Sequence, residues 1–406
     1  MLMECSSIKY KIFSLDKGLD YHINNNYLGR YVKVMLKIII MRILFLVAVV
    51  FFSVIYSFGQ GNPSDDAYFK ARSIIRDLDS IVAPNGIQET YPVNIGGVRQ
   101  WVYVRGQNKD NPILLFVHGG PASPMSPVMW MFQRPVEEYF TVVNYDQRAS
   151  GRTFISNDTL SLGQTITISQ YVKDAIELAE FVTKKYKKKK VILMGHSWGT
   201  IVSMHAALKR PDLFYAYVGV GQVINTVDNE RVSYDFAVQE ANRLHNELAL
   251  KELQSIAPYP GNQPITRERI IIARKWPQYY GGLSAYRNTS DYYFNAPYLS
   301  PDYSRSDIAS IDKGSLFTLE KILPEFLKVD FKPVKTFPVP VFMFMGRHDY
   351  TTPSEPTQHW LQLVKAPIKK GIWFENSAHL IPLEEPGKML LSLLNEVRPL
   401  AVEKSK

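Results

Sequence analysis

The stretch Val191-Ile-Leu-Met-Gly-His-Ser-Trp-Gly-Thr200 constrains the fold more than any other part of the chain. Four apolar residues suited to a buried strand run straight into Gly195-His-Ser-Trp-Gly199. A helical pattern (Ile201, Val202, Met204, Ala206, Ala207, Leu208) starts immediately after. Strand, G-x-S-x-G, helix is the context of a nucleophile elbow, where a serine sits in a sharp, strained turn. Glycines two positions to either side relieve the crowding between strand and helix. The helix N-terminus behind Ser197 points free N–H groups at any negative charge formed there. The pentapeptide alone also spells an ordinary Gly-rich turn, so the flanking strand and helix carry the inference.

Reading outward, strands alternate with helices. An amphipathic helix is expected over 64–82 and a hairpin over 93–105, turning at Gly96-Gly97. The apolar run Ile113–Val117 ends in His118-Gly-Gly-Pro-Ala122. A helix over 127–140 leads to a strand, Thr141–Tyr145, that ends in Asp146-Gln-Arg-Ala-Ser-Gly-Arg152. A helix over 169–187 precedes the serine strand, and a strand over 216–223 follows its helix. This alternation implies a mostly parallel sheet covered on both faces by helices. From 225 to 337 it stops: helical segments at 234–244, 247–256, 267–275 and 316–327 lie among Pro- and Tyr-rich loops, as in an inserted helical cap. Strands over 339–345 and 371–374 and a helix over 386–397 resume the sheet layer. The expected organisation is an N-terminal segment 1–59, a core in two parts, 60–224 and 338–406, and a cap, 225–337.

In the N-terminal segment an apolar run over 43–58 follows Lys33, Lys37 and Arg42. Small residues Ser57 and Gly59 come next, then a polar stretch. That is the order of a secretory signal peptide, cleaved near Gly59–Gln60. Residues 38–58, interrupted only by Arg42, are also long enough for a membrane anchor. Met41-Arg-Ile-Leu offers a second start of the ordinary signal-peptide kind. The expected location is therefore exported, periplasmic or secreted, with membrane anchoring as the alternative. Cys5 is the one cysteine, so no disulfide can form within the chain. The net charge of +9 falls to +5 without residues 1–59, which hold seven Lys/Arg and three Asp/Glu. A mild excess of that size does not point to nucleic acid. Its densest part, Lys184 to Lys190, sits where a helix is expected to end, and cations are favoured there.

A serine hydroxyl needs a base within hydrogen-bond reach and a third group to orient that base. In a sheet of this kind the chain order is Ser, acid, His. Asp349, in Gly346-Arg-His-Asp349, follows one strand, and His379, in Ser377-Ala-His379, follows the next. Ser197, Asp349 and His379 thus match in order and loop placement. Asp228 is a second candidate acid, and His348 and His359 are rival bases outside the last-strand loop. His118 and His196 are read as structural neighbours of the reactive atoms. Acyl transfer also needs donors for an oxyanion. Trp198 N–H is one, and the loop at Gly119 or Gly120 supplies the other. No metal or organic cofactor is expected.

The motifs His118-Gly-Gly-Pro-Ala122, Asp146-Gln-Arg-Ala-Ser-Gly-Arg-Thr153, Gly195-His-Ser-Trp-Gly-Thr200, Gly346-Arg-His-Asp349 and Ala378-His379 together resemble the proline iminopeptidase family of α/β-hydrolases. The resemblance spans about residues 90–395. It implies a Ser-Asp-His enzyme with a helical cap that removes an N-terminal residue, often proline, from short peptides, arylamides or esters. Strict members read H-G-G-P-G, D-Q-R-G-x-G-x-S and G-G-S-W-G, where this chain has Ala122, Ala149, Thr153 and His196. Cap glutamates hold the substrate ammonium in that family, which makes Glu230 and Glu240 the candidates here. Asp146 and Arg148 would brace the loop beside the oxyanion site. The cap aromatics Trp276, Tyr279, Tyr280, Tyr292, Tyr293 and Phe294 would line a pocket or form the cap's own core. A carboxylesterase or lactonase with the same triad is the alternative, and a non-catalytic binding protein on this fold is a third reading.

Overall fold

The structure, a computed structural model, describes residues 66–402, and the fold is that of the unit Tyr68–Lys406. Cys5 and the expected signal or anchor segment lie outside the described residues. Among the described residues no helix is long and apolar enough to cross a membrane.

The strands are β1 (Ile87–Ile95), β2 (Val98–Gly106), β3 (Ile113–Val117), β4 (Thr141–Tyr145), β5 (Val191–His196), β6 (Phe214–Val220), β7 (Val341–Gly346) and β8 (Lys369–Phe374). They form one sheet in the order β1-β2-β4-β3-β5-β6-β7-β8. β2 runs antiparallel to both its neighbours, and every pairing from β4 to β8 is parallel. The principal helices are α1 (Phe69–Asp79), α2 (Ile168–Lys185), α3 (Trp198–Lys209), α4 (Thr226–Arg243), α5 (Glu247–Ser255), α6 (Arg267–Pro277), α7 (Arg305–Phe326), α8 (Ser354–Leu363) and α9 (Pro386–Ser392). Lys184 and Lys185 occupy the last turn of α2, where their charge meets the negative end of the helix.

Side chains alternate across the central strands, so the sheet serves two cores. Leu115, Leu193 and Met343 pack into one with α2 and α3. Leu114, Ile192, Met194 and Phe342 pack into the other with Met125, Val128 and Met389. β3, β4, β5 and β7 are buried along their whole length; β3 and β7 read as apolar runs, while β4 also buries Thr141 and Asn144 and β5 ends in Gly195-His196. Between β6 and β7 lie α4 to α7, with short helical turns but no named strand among the described residues.

Several expected elements differ in extent. The hairpin begins at Ile87 rather than 93: the edge strand β1 is half-exposed and carries Pro92, so its first half lacks a buried-strand pattern. The first helix covers Phe69–Asp79 only, its end fixed where Ser80 turns extended. The helix expected over 127–140 is two short pieces, Ser126–Met131 and Arg134–Glu137, each with a proline in its first turn. The strand expected over 216–223 stops at Val220, because Gly221 takes a φ of +56° and turns the chain away. In the cap, α4 and α7 begin earlier than their periodicity suggests, at Asn225 and Ser304 N-caps.

The D-Q-R turn after β4 is braced from below. Arg148 is fully buried and pairs with Asp174 of α2 at 3.0 Å; it also bonds the Gly96 carbonyl at 2.8 Å and Thr165 Oγ1 at 2.7 Å. Gln100 and Gln170 donate to the same aspartate at 2.7 Å each. One side chain thus ties the hairpin, the D-Q-R turn and α2 together. Arg148→Ala leaves Asp174 buried without its cation, and urea denaturation should show a loss of about 3–5 kcal/mol.

Candidate active site

Ser197 links β5 to α3 with φ +54° and ψ −124°, a conformation an L-residue holds only under constraint. The constraint is visible around it. A Cβ on Gly195 would lie 2.7 Å from the Gly199 carbonyl oxygen, and one on Gly199 would lie 2.0 Å from that of Val117. Ser197 N–H donates to the Val220 carbonyl at 3.0 Å, which pins the turn to β6.

Beyond the ends of β7 and β8, His379 Nδ1 lies 2.9 Å from Asp349 Oδ2, both side chains being buried. Asp349 Oδ1 accepts from the backbone N–H groups of Thr351 (2.9 Å) and Thr352 (2.8 Å). Thr352 Oγ1 is 3.0 Å from Asp349 Oδ2 and 3.0 Å from His379 Nδ1. A carboxylate only accepts, so the hydroxyl donates to Asp349 and offers its lone pair to the imidazole N–H. Gly221 makes room: a Cβ there would be 2.9 Å from His379 Nδ1 and from Thr352 Oγ1. Motif and chain order single out neither Thr352 nor Gly221, although the Asp349-Tyr-Thr-Thr352 run held the signal. Thr352→Val should lower kcat about tenfold with KM little changed, and Thr352→Ser should restore it, as steady-state kinetics can check.

The oxyanion loop is fixed by histidine and glutamine. His118 Nε2 accepts from Gln147 N–H at 3.1 Å, so Nδ1 carries the proton and donates to the Gly119 carbonyl at 2.9 Å. Gln147 Nε2 donates to the His118 carbonyl at 2.7 Å, and Gln147 Oε1 accepts from the Trp198 indole at 3.2 Å. The D-Q-R glutamine therefore clamps the oxyanion loop to the serine elbow, a role that the motif's spelling does not disclose. Gly119 packs directly on the serine, where an added Cβ would lie 3.0 Å from Ser197 Cβ. The buried Asp146 carboxylate accepts from Ser126, Arg152 N–H and Tyr303; burial raises its pKa to about 6 despite those bonds. His196 Nε2 bonds the His379 carbonyl at 3.0 Å. Burial pushes His118 to a pKa of about 4 and His196 to about 3, so both are neutral at pH 7.

Ser197, His379, Thr352, Gly119, Gly120 and Trp198 share a cavity of about 350 Å³. Its cap side combines apolar Ile270, Leu319, Phe326, Tyr293 and Phe294 with Arg274, Gln278 and Ser315. Ser315 of α7 donates to the Pro121 carbonyl at 3.0 Å, joining cap to oxyanion loop. Trp276 and Tyr279 line a second, outer cavity instead, while Tyr292 bonds Ser284 and Tyr280 stacks on Trp276.

The two cap glutamates lie elsewhere. Glu230 is buried behind Arg274, which pairs with one carboxylate oxygen, and Tyr259 donates to the other at 2.7 Å. Glu240 pairs with Arg243 on the outer side of α4, at 2.6 Å. Neither lines the cavity. Asp228 is taken by Lys332 at 2.8 Å and Arg231 at 3.4 Å. His348 is bonded by Tyr286, and His359 lies on α8, away from the cavity. Among the described residues no group of three or more His, Cys, Asp or Glu is placed to hold a metal ion.

An imidazole oriented by a carboxylate, a serine in a strained turn and a glycine loop on one cavity are the parts that acyl transfer needs. Comparison with known proteins places the chain in a family. A model of the α/β-hydrolase fold family matches residues 112–386. A second model, described as steryl acetyl hydrolase, matches residues 2–210, which include Ser197 but not Asp349 or His379. The chain is 30% identical over 309 residues to a Bacillus subtilis (strain 168) protein named "Probable aminopeptidase YbaC", covering 75% of this chain and 95% of that one. Among solved structures, a proline iminopeptidase-related protein of Thermus thermophilus superposes with a TM-score of 0.55 at 18% identity, over 78% of this chain and 99% of its own. A proline iminopeptidase of Mycobacterium smegmatis gives 0.53 at 14%, over 77% and 99%. These two show a shared fold. The chain belongs to the α/β-hydrolase fold family and is a hydrolase related to a protein named as a probable aminopeptidase.

Proposed function

We propose that the protein is a serine hydrolase that releases the N-terminal residue, proline-like, from short peptides or arylamides through an acyl-enzyme. In this reading His379 takes the Ser197 proton, Asp349 orients the imidazole, and Trp198 N–H with the backbone at Gly119 or Gly120 holds the oxyanion. His379 then protonates the leaving amine, and water attacks the acyl-enzyme. The observation that carries the mechanism is the 2.9 Å Asp349–His379 pair at the wall of the cavity that Ser197 lines. Likeness to the Bacillus protein named as a probable aminopeptidase supports the choice of substrate. Export through the apolar segment over 43–58, with anchoring by 38–58 as the alternative, belongs to the same proposal.

Carboxylesterase or lactonase chemistry is the second reading, favoured by one observation: among the described residues no carboxylate lines the inner cavity to meet an ammonium. Turnover of prolyl arylamide against short acyl esters separates the two. Equal rates with free and blocked N-termini would sink the aminopeptidase reading. A serine-directed probe that labels the wild type no better than Ser197→Ala would sink the enzyme.

A further inference from the structure

The inner cavity and an outer one of about 840 Å³ share Ile271, Arg274, Gln278, Leu283 and Phe294. Those residues form the neck between the two spaces. Among the described residues Arg274 is the one side chain with a permanent charge that lines the inner cavity, which has no Asp, Glu or Lys. Two cations, Arg274 and Lys275, and one carboxylate, Asp291, line the outer cavity.

Arg274 extends from α6 towards α4 and the loop after β7. Its Nη2 meets Glu230, and its Nη1 donates to the Thr351 carbonyl at 3.3 Å. A guanidinium has five N–H donors in a planar fork, so these two bonds leave donors uncommitted. Nε is buried without a partner among the described residues and is closed to a ligand, so the donors left to meet one are the remaining N–H groups of Nη1 and Nη2 on the part-exposed end of the side chain. The fold therefore keeps a guanidinium, paired on one side with Glu230, at the neck of a cavity that no other permanently charged side chain lines among the described residues. Such a group gains most from an acceptor that arrives with the substrate, and a carboxylate is the acceptor a guanidinium fork holds best.

We propose that Arg274 is a specificity-determining residue that binds a carboxylate on the leaving-group side of the substrate as that part passes through the neck. Substrates are then short chains ending in a free carboxylate: under the aminopeptidase reading, dipeptides or tripeptides with an unmodified C-terminus. The proposal rests on the reading of this cavity as the hydrolytic site, and holds for a carboxylate-bearing ester as for a peptide. It also gives Glu230 a different part from that implied by the family resemblance. Glu230 orients the guanidinium and stays out of reach of a substrate ammonium.

The test is equilibrium binding by calorimetry to full-length Ser197→Ala protein, which keeps the site and removes turnover. Two matched pairs serve: a dipeptide acid and its C-terminal amide, and a short acyl ester with a carboxylate in its alcohol part and the methyl ester of that carboxylate. The acid should bind about tenfold more tightly than its partner in at least one pair. Adding Arg274→Met should bring that ratio to about one. Since this change strips Glu230 of its cation, Glu230→Gln with Arg274→Met carries the same test if the single variant does not fold. Equal affinities in both pairs, or a preference for the acid that survives loss of the guanidinium, overturn the proposal. Discrimination in the ester pair alone supports Arg274 and overturns the peptide reading; discrimination in the dipeptide pair supports both.

Discussion

Ser197→Ala should lower kcat by roughly 10⁵–10⁶-fold, with substrate affinity retained. The expectation follows from the proposed division of labour: without the hydroxyl no acyl-enzyme forms, and what remains is water attack assisted by the oxyanion donors. Alanine suits the position sterically, since the +54° φ at Ser197 is set by the packing of Gly195 and Gly199 and not by the hydroxyl. Thermal melting should therefore move little while turnover vanishes. Steady-state kinetics with an arylamide and an ester, read beside the melting curve, check both halves. Residual activity above roughly one part in a hundred would assign the nucleophile elsewhere.

Asp349→Asn should cost about 10⁴-fold in kcat, for a reason of proton geometry. Two backbone N–H groups, from Thr351 and Thr352, point at Oδ1 and require an acceptor there. Asparagine must place its oxygen at that position, so its NH₂ faces His379 Nδ1. The imidazole then keeps its proton on Nε2, the nitrogen that has to accept from serine. Burial and packing are preserved, so the loss should fall in kcat and leave KM nearly unchanged. A loss under about tenfold would hand the acid role to another group, and Asp228, already engaged by Lys332 and Arg231, would be a poor heir.

The parts of this molecule legible in the sequence are those where one physical demand dominates. β3, β5 and β7 are buried on both faces, and their short apolar runs, bounded by glycine and too short for helices, are legible as strands. The elbow is legible because its glycines stand at fixed positions between a strand and a helix, although the limit on Gly199 comes from the distant Val117 carbonyl. β1 was legible only in its second half, since an edge strand tolerates proline and polar residues. Asp349 and His379 were named from chain order, and the structure brings them to 2.9 Å. The cap glutamates came from resemblance, and nothing in local sequence revealed that Arg274, 44 residues from Glu230, would cover that carboxylate. Thr352, Gly221 and Gln147 act through neighbours brought in by the fold, a kind of information that periodicity does not carry. Ala122 and Ala149, standing where strict family members have glycine, keep positive φ values of 54° and 59°. Both alanines thus hold a left-handed conformation that glycine adopts more readily.

The Gln147 clamp has a consequence for how the site breathes. Its amide joins the His118 carbonyl to the Trp198 indole, while its backbone N–H holds the His118 ring. The oxyanion loop, the D-Q-R turn and the first turn of α3 cannot loosen one at a time without breaking these bonds. Amide hydrogen exchange in the three segments, which follow the interior strands β4, β3 and β5, should then report a single cooperative opening. Under the proposed mechanism, the oxyanion donors would then stay assembled between turnovers.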